Sequence, residues 1–152
     1  MKLKYTNLMM LLFGILCYTG CSSDDKTETS VPGQQIEKLK GSWRVTTVSL
    51  DEVEQSEFDG FTLAIMANTG TSVHYVITGN PDYSPWISES GGRFSFDERD
   101  PASYLIREDD LSIQYSVTAT SLVMEFTYDD ASAGGRQASV SGYWKFTFSK
   151  VQ

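Results

Sequence analysis

Thiols and imidazoles are almost missing from this chain. Its two cysteines, Cys17 and Cys21, fall within the first 21 of 152 residues, and His74 is the only histidine. Everything after Cys21 is therefore without a disulfide, a cysteine nucleophile, a thiolate metal site or a redox dithiol. One histidine with no thiol partner is too small a donor set for a zinc site. Sitting between Val73 and Tyr75, His74 reads as a strand residue. No Gly-x-Ser-x-Gly elbow and no phosphate-binding glycine loop is present. No catalytic group, metal or cofactor is expected, and a hydrolase built on paired carboxylates is a distant third reading. Basic charge is scarce as well: 12 Lys and Arg stand against 20 Asp and Glu, a formal charge of −8. Such a chain repels phosphate backbones, so nucleic acid is not an expected partner. No apolar run approaches the roughly 20 residues that a membrane-crossing helix needs.

What the amino terminus does contain is an address. Lys2 and Lys4 precede an apolar run from Leu8 to Leu16, followed by Tyr18-Thr19-Gly20-Cys21. A short apolar segment with a positive start and small residues at its end has the layout of a secretory signal, here residues 1–20. The Thr-Gly-Cys ending resembles the lipobox of bacterial lipoproteins. That resemblance implies cleavage before Cys21, diacylation of its thiol, and acylation (palmitate) of the new amino terminus. The acidic Ser22-Ser23-Asp24-Asp25-Lys26 is similar to the surface-export signal of Bacteroidota lipoproteins, which implies an outer-membrane anchor with the protein on the cell surface. Losing Lys2 and Lys4 takes the formal charge from −8 to −10. Residues 21–40 are polar and include Pro32 and Gly33, the composition of a flexible tether. Residues 41–152 then suffice for one small core.

Period-2 alternation dominates that domain. Leu122, Met124, Phe126 and Tyr128 alternate with Ser121, Val123, Glu125 and Thr127, and Trp144, Phe146 and Phe148 alternate with Lys145, Thr147 and Ser149. Eight strands are expected, at 42–50, 61–67, 72–78, 92–97, 103–107, 112–117, 121–128 and 138–149. Only Gln34–Lys40 carries a helical pattern, enough for one turn. Eight short strands with tight connections predict an all-β fold, a small antiparallel up-and-down β-barrel, since closure removes exposed edges. A two-sheet β-sandwich is the alternative.

Connection lengths divide the barrel. The odd connections, 51–60, 79–91, 108–111 and 129–137, are mostly long and acidic, with Arg136 their only cation. The even ones, 68–71, 98–102 and 118–120, are short. One end is thus a decorated mouth and the other a floor, and loops longer than a hairpin needs commonly carry binding residues. In the first long stretch after the third strand, Pro81 and Pro85 stiffen a loop bearing Tyr83 and Trp86. Two aromatics on an ordered loop can stack on a ligand, and they can equally fold down to cap the core.

Gly41-Ser42-Trp43 opens the first strand, and Gly142-Tyr143-Trp144 repeats the pattern in the last. This Gly-x-Trp is similar to the first-strand signature of lipocalins. With Gly91-Gly92-Arg93-Phe94 and the Gly-x-Trp-x-Phe ending, residues 41–149 look like the lipocalin-like lipoproteins of Bacteroidota. The resemblance implies that Gly41 and Trp43 close the barrel floor. Lipocalins also place an arginine after the last strand to cover that tryptophan, and no such arginine is found here. The leading functional expectation is a lipid-anchored module that binds a small apolar or glycan ligand through Tyr83 and Trp86. Its competitor is an interaction subunit with a solid barrel and an acidic rim that meets an envelope protein. An interior void separates the two, since a ligand pocket occupies roughly 300 Å³ or more.

Overall fold

A computed structural model describes residues 30–67, 72–86, 91–129 and 140–152. Cys21, the leader 1–20, the floor connection 68–71, and the mouth residues Glu89 and Arg136 lie outside the described residues. Helix α1 (Val31–Leu39) leads into β1 (Gly41–Leu50), β2 (Val53–Glu54), a 3-10 turn at Ser56–Phe58, and β3 (Thr62–Ala67). The chain continues through β4 (Ser72–Thr78), β5 (Gly92–Phe96), β6 (Tyr104–Arg107), β7 (Ser112–Val117), β8 (Ser121–Tyr128) and β9 (Gly142–Lys150).

From β3 to β9 each strand pairs antiparallel with the next, while β1 pairs with β3 on one side and β9 on the other. The sheet is therefore a closed eight-stranded barrel, not a sandwich, with β2 as a short flap on β1. Seven pairs, from Trp43↔Lys150 to Leu50↔Trp144, seal the seam, interrupted by a bulge between Val45 and Thr47. Thr46 in that bulge donates its hydroxyl to the Thr147 carbonyl at 3.0 Å. Bulges bend a strand locally and so help a sheet curl into closure.

Alternation decides which side chains go inside. Val73, Tyr75 and Ile77 of β4, and Leu122, Met124 and Phe126 of β8, are buried, with less buried neighbours between them. The outer wall carries residues such as Ser42, Arg44, Gln114 and Lys145. A polar exterior around an apolar interior is the reverse of a membrane-spanning barrel. Among the described residues, no helix is long and apolar enough to cross a membrane.

Besides the last strand, which begins at Gly142 and not at 138, two features depart from the sequence reading. Residues 31–39, taken there as part of the tether with at most one turn near Gln34–Lys40, form a helix docked on the barrel. Ser30 caps it, accepting a hydrogen bond from the Gly33 amide at 3.3 Å, and Pro32 occupies the first turn, where its missing N–H does no harm. Ile36 and Leu39 are buried against the barrel end. The second departure is β2. Asp51 and Glu52 turn the chain at φ 48° and 68°, a left-handed pair that glycine or asparagine usually supplies. Asp51 is held there because its carboxylate accepts from the Tyr143 amide at 2.8 Å.

Both ends of the seam are closed by the same device. At the floor, Trp43 donates its indole N–H to the Leu39 carbonyl at 2.7 Å. At the mouth, Trp144 donates its own to the Val140 carbonyl, four residues back in each case, also at 2.7 Å. Each glycine two places earlier has a positive φ that L side chains rarely adopt, and a Cβ there would press on a neighbouring side chain. A Cβ on Gly41 would sit 2.8 Å from Lys150 Cε, and one on Gly142 would sit 2.5 Å from Leu50 Cδ1. Lys150 lies with its ammonium 5.0 Å from the Trp43 ring centroid. A lysine inside the last strand thus takes the cation–aromatic position for which an arginine beyond it was sought.

Candidate functional site at the barrel mouth

Helix α1 packs on the floor through Ile36 and Leu39, and the longer connections stand at the mouth. Loop 79–86 leaves β4 at Gly79, whose φ of +70° and 2.6 Å clearance to the Gly60 carbonyl exclude a side chain. Ser84 accepts from the Trp86 amide at 3.2 Å, and Asn80 donates through Nδ2 to the Trp86 carbonyl at 3.3 Å. These local bonds fold the loop back over the barrel.

Tyr83 and Trp86 consequently part company. Tyr83 is 49% exposed on the outside of the loop, whereas Trp86 is 3% exposed and lies inside the barrel. Its ring centroid is 5.8 Å from Phe61, 5.8 Å from Tyr75, 6.3 Å from Phe94, 5.9 Å from Phe126 and 5.6 Å from Phe146. Those five rings sit on or beside five different strands, so the indole occupies the middle of the barrel. Of the two arrangements the sequence allowed, Trp86 takes the one that folds down onto the core: a large apolar ring gains more by filling the hole than by standing in water. Phe58 adds to the filling from the 3-10 turn, 5.3 Å from Phe146 and 5.6 Å from Trp144. The described clefts open outside the core. One, of about 900 Å³, runs between Val31 and Pro32 of α1 and the β5–β6 hairpin. Smaller ones of about 240 Å³ and 370 Å³ lie on the outer wall around Gln114 and Lys145, and around Arg93 and Glu108.

Arg107 was missed by the sequence reading and organises this end. It is 1% exposed, the one buried charged residue among the described residues. Nε and Nη2 donate to the two carboxylate oxygens of Asp109 at 2.7 and 2.8 Å, a bidentate fork. Nη1 donates to the Pro85 carbonyl at 2.8 Å, tying the loop down. The guanidinium carbon lies 5.8 Å from both the Trp86 and the Tyr128 ring centroids. The hydrogen bonds from Arg107 hold the Asp109 carboxyl below the usual carboxylate range, with burial opposing them. Burial pushes the Tyr75 hydroxyl up to about 12. The signal for Arg107 was in the register: Leu105 and Arg107 share the inward face of β6.

Among the described residues, two buried polar atoms of the loop have no partner. They are Trp86 Nε1 and Asn80 Oδ1. An unsatisfied buried donor or acceptor costs about 1–3 kcal/mol, so the loop is held down at a discount to its apolar gain. Around it, Glu52, Glu54, Glu57, Asp59, Asp82, Glu108 and Asp110 are exposed, with no ion pair among the described residues. His74 stands on β4, paired in register with Met66 and Arg93, away from these groups.

No family model, no curated protein and no solved structure matches this chain. The closed eight-stranded antiparallel barrel is of a form compatible with a lipocalin-like domain.

Proposed function

We propose that this chain is a non-enzymatic lipoprotein of the bacterial outer membrane, anchored through Cys21, whose barrel mouth docks a protein partner at the cell envelope. The observation that carries this reading is Trp86 in the middle of the barrel, ringed by aromatics from five strands. Rings that fill the interior among the described residues leave less room for small-ligand storage, and this supports the interaction subunit over the ligand-binding module. Unpaired carboxylates around the mouth give the partner's charge: basic. The lipobox-like Thr19-Gly20-Cys21 and the acidic Ser22–Lys26 support the surface location, and the lipocalin-like form of the barrel supports a binding role. Native mass spectrometry of the protein purified from its own envelope tests the proposal. A stoichiometric protein partner, lost when Glu52, Glu54, Glu57 and Asp59 are changed together to Lys, is expected. A co-purifying small molecule with no protein partner would return the assignment to ligand binding.

A further inference from the structure

Of the three described tryptophans, Trp43 and Trp144 give their indole N–H groups to backbone carbonyls, while Trp86 has no acceptor. Trp86 also differs in origin, entering the core from a loop while Trp43 and Trp144 belong to strands. The loop's second hold is the Pro85 carbonyl on Arg107 Nη1. An aromatic side chain in an aromatic hole, with the preceding carbonyl on a buried guanidinium, is how a bound peptide would be held. We propose that loop 79–86 is a resident stand-in for such a peptide, and that a partner's basic segment displaces it by inserting an aromatic side chain of its own.

The arrangement supports this in three ways. The hole is shaped by rings of β4, β5, β8 and β9, which the barrel hydrogen bonds hold in place when the loop leaves. Arg107 stays paired with Asp109 after Pro85 moves away, so its Nη1 then needs one new acceptor, which a backbone carbonyl supplies. The rim residues Glu57, Asp59, Asp82 and Asp110 are exposed and form no ion pair among the described residues, so the arriving segment meets negative charge and should be basic. The displaced loop gains as well, because water satisfies Trp86 Nε1 and Asn80 Oδ1 once they are exposed.

This proposal rests on the docking reading above, and its test separates the two. In the full-length protein, hydrogen exchange of the three indole N–H groups is followed by NMR. The Trp86 proton should exchange at least about tenfold faster than those of Trp43 and Trp144, through a local opening that leaves the barrel intact. Acetyl-Lys-Gly-Trp-Lys-amide should then shift the Trp86 signal, while the same peptide with Glu for Lys, or with Ala for Trp, should not. Trp86→Ala should bind the basic Trp peptide at least about tenfold more tightly, because no resident indole competes. Should that variant fail to fold, the wild-type exchange and titration decide alone. Equal protection of all three indoles, or equal binding of the acidic or Ala peptide, overturns the proposal. A concentration-dependent dimer insensitive to peptide would assign the hole to a second copy of the chain and overturn it too. A partner found in the envelope while Trp86 stays as protected as Trp144 would leave the docking reading standing and remove only this one.

Discussion

Replacing Trp86 in steps separates what its ring contributes from what its N–H costs. Truncating a buried tryptophan to alanine commonly destabilises by about 3–5 kcal/mol. Here the lost N–H was unsatisfied, which returns about 1–3 kcal/mol. Trp86→Ala is therefore expected to cost about 2 kcal/mol, within extremes of about 0 and 4, or roughly 8 °C in Tm at about 4 °C per kcal/mol for a domain of this size. Trp86→Phe keeps most of the aromatic contact and removes the orphan donor, so it should fall within about 1 kcal/mol of the native protein. Trp144→Phe also keeps a ring, but it breaks a 2.7 Å bond to Val140 and leaves that carbonyl unpaired. It should be the worse of the two phenylalanine variants by about 1–3 kcal/mol. Urea denaturation with fixed slope measures all three. If Trp86→Phe is as damaging as Trp144→Phe, the indole N–H of Trp86 has a partner and the account of the loop is wrong.

Further outcomes follow from the same geometry. Asp109 is held below its ordinary range by the Arg107 hydrogen bonds, so its contribution is complete above the unfolded carboxylate range and is lost as pH falls through the depressed folded value. Asp109→Ala strands the buried Arg107 and should cost about 3 kcal/mol at neutral pH, flattening the acid limb of a stability-against-pH curve; an unchanged limb refutes it. Cys21→Ser should release soluble protein or stall the precursor, and membrane partition with undiminished palmitate labelling would contradict the anchor. Cysteine placed at Ser56 on the mouth side should react with a bulky maleimide on intact cells faster than cysteine at Ala119, on the floor. Equal or reversed rates would overturn a mouth that faces outward. The charge balance supports that orientation, since at the floor end Lys38, Lys40, Arg44, Arg99 and Lys150 nearly balance Glu37, Asp97, Glu98 and Asp100, whereas the acidic mouth is repelled by an anionic headgroup layer.

Strand positions were legible because one inward face per strand is apolar, as in β4, β7 and β8, whose bounds agree with the sequence reading. Turn chemistry predicted less. The flap β2 was invisible since Asp51 and Glu52 lack intrinsic preference for left-handed backbone and are held by a contact to Tyr143 across the seam. Helix α1 was read as tether because Pro32 and Gly33 look like breakers, although Ser30 and Pro32 together form a helix start. For Trp86, the loop sequence allowed both exposure and burial. Only the closed barrel supplies the hole that decides between them, and that hole is made by residues far apart in the chain. Arg107 required reading one cation as an inward residue, against the prior that charge faces water.

Sealing β1 to β9 also has a bearing on when this chain can fold. The seam pairs strands about a hundred residues apart, so it cannot form until both are present, although each Gly-x-Trp indole bond is local to its own strand. Contacts of such long sequence separation are slow to form, and a chain still being synthesised has nothing to close against before Gly142 emerges. The barrel closes only after nearly all of the polypeptide is available. For the exported lipoprotein proposed above, that delay would keep the chain open during its passage and leave closure to the far side.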